Sequence, residues 1–304
     1  MIDSVQRRQL LKLAGIGGVV FASSLPGHVG AVGANSNPGT AAARDFYFIQ
    51  MSDTHWGYEG PNNPEMKVTL PKAVDLINGL SLAPDFIVFT GDLTHTTDDP
   101  FERRRRMREF TRVVSRLKVK PVHFLPGEHD AGLDFGDAFR ELFGPTHFAF
   151  EHQGVNFIAL DNVSDPRGMG EAQLEWLKGR LAGLAPDARI VVLAHRPLFD
   201  LFPAWEWSTR DGASAIDLLT PFQNVTVFYG HVHQENHHMT GHIAHHSALS
   251  LAWPLPFPGS KPKPKPVPWN AAQPYKGLGV RGVSVELTPV RYELMEMPVA
   301  KAKA

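Results

Sequence analysis

Six short apolar runs divide this chain: Phe46 to Met51, Phe86 to Thr90, Val122 to Leu125, Asn156 to Leu160, Ile190 to Leu193 and Val225 to Tyr229. Each has the length and composition of a buried strand. Helical patterns separate most of them. Leu70 to Leu80 is one, and Pro100 to Leu117 is another, with Asp99 as N-cap and Phe101, Met107, Phe110, Val114 and Leu117 at helical spacing. Leu174, Leu177, Leu181 and Leu184 mark a third. Such alternation predicts an α/β layered domain in which helices cover a central sheet.

Nearly every strand runs into a residue able to bind a metal. The first leads to Asp53-Thr54-His55, the second to Gly91-Asp92, the third to Gly127-Glu128-His129-Asp130, the fifth to His195 and the sixth to Gly230-His231-Val232-His233. Ligands in layered α/β folds bind at the carboxyl ends of strands, so these distant residues are expected to converge on one pocket. One Asp-x-His or His-x-His alone is a weak signal. Five such elements in order, most with a glycine that allows close backbone approach, make a metal site the economical reading. The chain has no cysteine, so its ligands must be His, Asp, Glu, Asn or backbone, and disulfides are excluded.

The order Asp-x-His, Gly-Asp, Gly-Asn-His-Asp/Glu, His, Gly-His-x-His resembles the calcineurin-like metallophosphoesterase superfamily, over about residues 44 to 297. The resemblance implies a four-layer α/β/β/α sandwich and a dinuclear centre. Asp53, His55, Asp92 and His233 would hold one metal, and Asp92, Glu128, His195 and His231 the other, with Asp92 as the bridge. It also implies hydrolysis of a phosphomonoester or phosphodiester by a metal-bridging hydroxide, with His129 stabilising or protonating the leaving oxygen. Mixed imidazole and carboxylate ligation suits two divalent or mixed-valence Mn, Fe, Zn or Co ions rather than Mg or Ca. The opening Asp-Thr-His and the chain size look most like the branch with cyclic-nucleotide and glycerophosphodiester phosphodiesterases.

Two positions depart from relatives within the superfamily. Purple acid phosphatases carry a tyrosine ligand three residues after the Gly-Asp aspartate; His95 stands there, which argues against a tyrosinate-bound ferric site. Glu128 stands where the pattern has asparagine and adds a negative charge. A metal-loaded binding or scaffolding protein with negligible turnover is therefore the alternative to an enzyme.

Arg7-Arg8-Gln9-Leu10-Leu11-Lys12 precedes an apolar, Gly/Ala-rich run from Leu13 to about Leu25. This resembles a twin-arginine export signal, with 1–34 as signal peptide, cleavage near Val32-Gly33-Ala34, 35–43 as linker, 44–297 as the domain and 298–304 as an exposed tail. The run is short for a membrane anchor of about 20 residues. The expectation is export by the twin-arginine machinery to the periplasm or beyond, with no stable membrane insertion after cleavage. With 30 basic and 31 acidic residues, nothing in the bulk charge points to nucleic acid, and a small-molecule phosphate ester is the expected partner.

Other segments read more plainly. Arg103 to Arg106 is expected to be the water-facing side of its helix. Trp253 to Trp269 holds seven prolines and three lysines and reads as an irregular solvated loop. His237 to Leu249 and Val280 to Met297 read as hairpins, the first exposed, with His237, His238, His242, His245 and His246 on opposite faces rather than forming a second metal site. Asp161-Asn162 reads as a strand-end turn, with contact to the site as the alternative. Arg196 is expected to face solvent, with a phosphate clamp as the sharper alternative. Phe199, Phe202, Trp205 and Trp207 are expected to pack in the core, with a substrate wall as the alternative.

Overall fold

In the computed structural model, the described residues are 43–166 and 168–299, together with the backbone of Val20–Ser24. The elements are β1 (Val20–Ser24), β2 (Phe46–Met51), α1 (Met66–Asn78), β3 (Phe86–Thr90), α2 (Pro100–Val114), β4 (Val122–Leu125), α3 (Glu128–Ala131), α4 (Asp137–Phe143), β5 (Phe148–His152) and β6 (Val155–Ala159). They continue with α5 (Gly170–Leu181), β7 (Arg189–Leu193), α6 (Gly212–Leu219), β8 (Asn224–Tyr229), β9 (Asn236–Thr240), β10 (Ile243–Ser247), β11 (Gly279–Leu287) and β12 (Val290–Pro298).

Two six-stranded sheets result, ordered β1-β12-β11-β2-β3-β4 and β5-β6-β7-β8-β10-β9. Within them β2, β3 and β4 run parallel, as do β6, β7, β8 and β10. Strand periodicity builds the layers. Phe46, Phe48 and Val88 point to the shared inter-sheet core with Phe157, Val191 and Leu193, while Tyr47, Ile49, Met51, Ile87 and Phe89 point outward beneath α1 and α2. Ile190 and Val192 face the opposite outer layer, packed with Leu177 of α5 and Leu219 of α6. This is the expected four-layer sandwich. Strands buried on both faces explain why the runs read as continuously apolar.

All six expected strands form, within one residue at either end. Asp99 caps α2 as expected, its carboxylate accepting from the backbone N–H of Phe101 and Glu102. Phe101, however, is 83% exposed, so it is not part of the apolar stripe. The arginine run also differs from expectation. Successive helical residues lie 100° apart, so four in a row cannot share one face. Arg103 is buried against Asp134 at 2.7 Å, and Arg106 turns inward to donate to the carbonyls of His95 and Thr96, while Arg105 stays outside.

The histidine hairpin is not exposed as a whole. β10 lies between β8 and β9, so His245 and His246 are buried. His238 stacks on Phe199 with ring centroids 3.8 Å apart, and His242 Nε2 donates to the Phe222 carbonyl at 2.6 Å. Residues 253–269 contain no helix or strand, as seven prolines require. β5 and the eight-residue α6 had not been expected; both are short, and β5 is a half-buried sheet edge.

The twin-arginine motif and the cleavage region lie outside the described residues. Of the expected signal only Val20–Ser24 are described, as an edge strand antiparallel to β12. Residues 300–304 of the expected tail are also outside, and backbone pairing continues to Val299, which donates to Leu278. Among the described residues, no helix is long and apolar enough to cross a membrane.

Candidate metal centre

The carboxyl ends of β2, β3, β4, β7 and β8 bring Asp53, His55, Asp92, Glu128, His195, His231 and His233 together, so all seven expected ligand positions converge. Two groups form: the donor atoms of Asp53, His55, Asp92 and His233 lie within 4.8 Å of one another, as do those of Glu128, His195 and His231. Asp92 Oδ2 lies 3.5 Å from His55 Nε2 in the first group and 3.5 Å from His195 Nε2 in the second. Its other oxygen, Oδ1, accepts the backbone N–H of His129 at 2.9 Å. One carboxylate thus faces both groups.

The backbone at these positions is unusual. Among the described residues, eight non-glycine positions have positive φ, and Asp53, His55, Asp92, His231 and His233 are five of them. Left-handed backbone at a non-glycine residue costs of order 1–3 kcal/mol and persists where surroundings enforce it. Here the strained positions coincide with the convergent side chains. Two glycines are fixed by the same crowding: a Cβ at Gly91, itself at φ +96, would lie 2.3 Å from His195 Nδ1, and one at Gly127 would lie 2.0 Å from Asp92 Oδ1.

Hydrogen bonds set which ring nitrogens face the centre. A carbonyl can only accept, so His195 Nδ1 donates to Thr90 O and His233 Nδ1 donates to Trp253 O, each at 2.7 Å. In both rings Nε2 is then the nitrogen turned inward, the arrangement that metal-binding histidines require. His231 Nε2 is buried without a hydrogen-bond partner, and His195 Nε2 and Glu128 Oε2, both buried, face only each other at 2.8 Å. Buried polar atoms ordinarily find partners. Ligating atoms from three side chains, crowded into one pocket with one of them unpartnered, fit a cation's place, so the residues present suit the two-metal centre that the sequence pattern implies.

Charge favours the same use. Burial and Glu128 oppose ionisation of Asp92, but His195 and His129 bring it down to about 2. Glu128 is held well below the usual carboxylate range: burial works against this, and His231, His195 and Arg196 outweigh it. Burial and then His129 hold His55 well below the ordinary histidine range. The carboxylates are ionised and His55 is neutral, the forms that coordinate metal; burial opposes protonation of His195 and His233, but Asp92 and Glu128 raise the first and Asp53 the second, protons that a cation would displace.

Glu128 does reach the centre: Oε2 lies 2.8 Å from His195 Nε2 and Oε1 lies 2.9 Å from His231 Nδ1. His129 sits beside it, with Nε2 4.0 Å from Asp92 Oδ2 and Nδ1 accepting from the Thr96 N–H at 3.2 Å. His95 lies outside those two groups but contacts His55, Nδ1 to Nδ1, at 3.2 Å, and its donor atom lies within 4.8 Å of those of His55 and His129.

Neighbouring residues support the centre. Asp130 ties the loops after β3 and β4 together, accepting from the backbone N–H of Leu93, Thr94 and Gly127, and burial followed by the Asp92 charge pushes it up to about 7. Trp253 stacks on His55 at 4.7 Å and also lines a cleft of about 380 Å³ with Pro254, Val267 and Trp269. No local pattern marks a proline-loop tryptophan as a neighbour of the centre. Asp161 forms the expected turn, accepting from Val163 and Ser164, whereas Asn162 holds the His195-Arg196 backbone. Arg196 is buried rather than solvent-facing, with Nε 3.5 Å from Glu128 Oε2. Phe199, Trp205 and Trp207 are core residues, and Phe202 packs against them. None of the five hairpin histidines joins a group of potential metal ligands among the described residues.

Comparison with known proteins agrees with this geometry. Residues 46–235 match the calcineurin-like phosphoesterase family. The chain is similar to the Serine/threonine-protein phosphatase CPPED1 of Danio rerio, 31% identical over 178 residues, covering 51% of this chain and 57% of that protein. It is also similar to the "Probable glycerophosphodiester phosphodiesterase GpdQ" of Arcobacter nitrofigilis, 28% identical over 161 residues, covering 49% and 56%. The matched stretch thus spans little more than half the length of either relative. In fold it resembles a dimetal phosphatase from Danio rerio, with TM-score 0.59 and 14% identity, covering 84% of this chain and 100% of that one.

Proposed function

The chain belongs to the calcineurin-like phosphoesterase family, and on that premise we propose that it hydrolyses a phosphodiester or phosphomonoester with two transition-metal ions. Asp53, His55, Asp92 and His233 would hold one ion, and Asp92, Glu128, His195 and His231 the other. The observation that carries this reading is the position of Asp92 Oδ2, 3.5 Å from a histidine of each group. Two cations held there would polarise phosphoryl oxygens and acidify a water.

The protein's own residues supply the rest. Thr96 N–H can only donate, so the proton of neutral His129 resides on Nε2, on the side of Asp92. That N–H is placed to donate to the leaving oxygen of the ester. The backbone N–H of His129 holds Asp92 Oδ1, so the same short turn fixes both the bridging carboxylate and the proton donor. The Trp253 cleft adjoins the centre and offers an apolar seat for the alcohol part of the ester.

The test is turnover of paired aryl phosphate monoesters and diesters by purified protein with added Mn or Zn, with Asp92→Ala as the blank. Turnover that depends on metal and vanishes in the blank supports the proposal. Two bound metals without turnover of any ester would favour the alternative, a metal-loaded binding or scaffolding protein, which rests on Glu128 standing in place of asparagine. Export through the twin-arginine machinery to the periplasm is a separate proposal, supported by Arg7-Arg8 and the apolar run after it. Loss of periplasmic protein on replacing both arginines by lysine would support it; unchanged fractionation would refute it.

A further inference from the structure

Asparagine at the Glu128 position would offer both a neutral ligand oxygen and an amide N–H₂ able to donate to a substrate oxygen. Glutamate offers neither the neutrality nor the donor. With two divalent ions in place, three carboxylates at the centre leave one net positive charge, where the asparagine pattern would leave two. An anionic phosphate ester would meet a weaker field.

Arg196 has the chemistry that is missing. It follows His195 directly and is only 7% exposed, yet its Nε and Nη1 have no hydrogen-bond partner. Its Nε lies 3.5 Å from Glu128 Oε2, close enough for attraction but beyond a good hydrogen bond. Asn162 accepts from the backbone N–H of Arg196 at 3.2 Å and donates to its carbonyl at 2.9 Å, so the residue is held from its main chain while Nε and Nη1 remain uncommitted. A buried guanidinium with free donors is costly unless an anion completes it.

We infer that Arg196 is a substrate-binding residue: its free N–H groups engage non-bridging phosphoryl oxygens and replace both the donor and the positive charge that Glu128 removes. The inference rests on the two-metal reading above. It assigns the Glu128–Arg196 pair as one unit in which the glutamate binds on the metal side and the arginine on the phosphate side. Arginine suits this because its planar fork presents two parallel donors to a phosphate, which lysine cannot reproduce.

The experiment compares the full chain with Arg196→Met, Arg196→Lys and the double variant Glu128→Asn/Arg196→Met. Metals per chain are measured by elemental analysis, folding by circular dichroism, and binding of inorganic phosphate to the metal-loaded protein by calorimetry. Arg196→Met should keep two metals and bind phosphate about 10- to 100-fold more weakly. Arg196→Lys should fall between it and the parent, and the double variant should recover part of the loss because asparagine restores a donor and removes a charge. Phosphate affinity within twofold of the parent in a folded, two-metal Arg196→Met protein overturns the inference. Loss of metal in both single variants also overturns it, showing that Arg196 acts only by positioning Glu128. A parent protein that binds no metal would instead overturn the two-metal reading, and this inference with it.

Discussion

Asn162 holds His195 by its backbone: Asn162 Oδ1 accepts the His195 N–H at 3.2 Å, and its Nδ2 is spent on Arg196 O at 2.9 Å and Thr209 Oγ1 at 2.8 Å. A buried amide with both ends committed fixes the strand end from which His195 projects. Asn162→Ala should leave these backbone groups unsatisfied, lowering stability by about 1–3 kcal/mol. It should reduce kcat/KM roughly tenfold or more, because small misplacements of a site are costly. Urea denaturation and steady-state kinetics check this; a stable variant with parental kinetics would remove Asn162 from the support of the centre.

His129 is expected to matter according to the leaving group. If Nε2–H protonates the departing oxygen, His129→Ala should slow esters of poor leaving groups by about 10²-fold and nitrophenyl esters much less, since general acid catalysis contributes about 10²–10⁴. Metal content should stay at the parental level. Equal loss on both ester types would assign His129 to holding Asp92 rather than to proton transfer.

Arg103 and Arg105 are two residues apart and should behave oppositely. Removing Arg103 leaves Asp134 without its ion-pair partner and frees the Thr97 carbonyl that Arg103 also binds, so Arg103→Ala should cost about 3 kcal/mol or more. Arg105 pairs only on the surface, with Glu102 and Glu109, and Arg105→Ala should change stability by less than about 1 kcal/mol. Thermal melts of the two variants decide whether the run divides by face.

His245 should make the fold acid-sensitive. Burial, and then His238, depress it to about 3, far below the ordinary histidine range. Above the unfolded value neither state binds a proton, so the packing is fully present; as pH falls below it the unfolded chain gains a proton that the folded one refuses, and stability is lost. Between pH 7 and pH 5 this group alone should remove about 2 kcal/mol. His245→Leu should lose that much less over the same interval, measured by urea midpoints at both pH values. An unchanged difference would show that His245 is not the group responsible.

The sequence by itself determined the six strands, the capped arginine helix and the positions of seven metal-competent residues. Those depend on local rules: buried strands need continuous apolar runs, and strand ends in an α/β layout face one side. Tertiary structure alone decided what each polar residue does. Arg103 and Arg105 look alike along the chain but differ once α2 packs against the Asp134 loop. Arg196 became buried because the turn around Asn162 folds it under Glu128. Trp253 reached His55 from the far end of the chain, and β10 was buried because β9 closed the sheet beyond it. Partners brought together across about 20 to 200 positions leave no mark in local periodicity, since burial and pairing are properties of the packed layers rather than of any one segment.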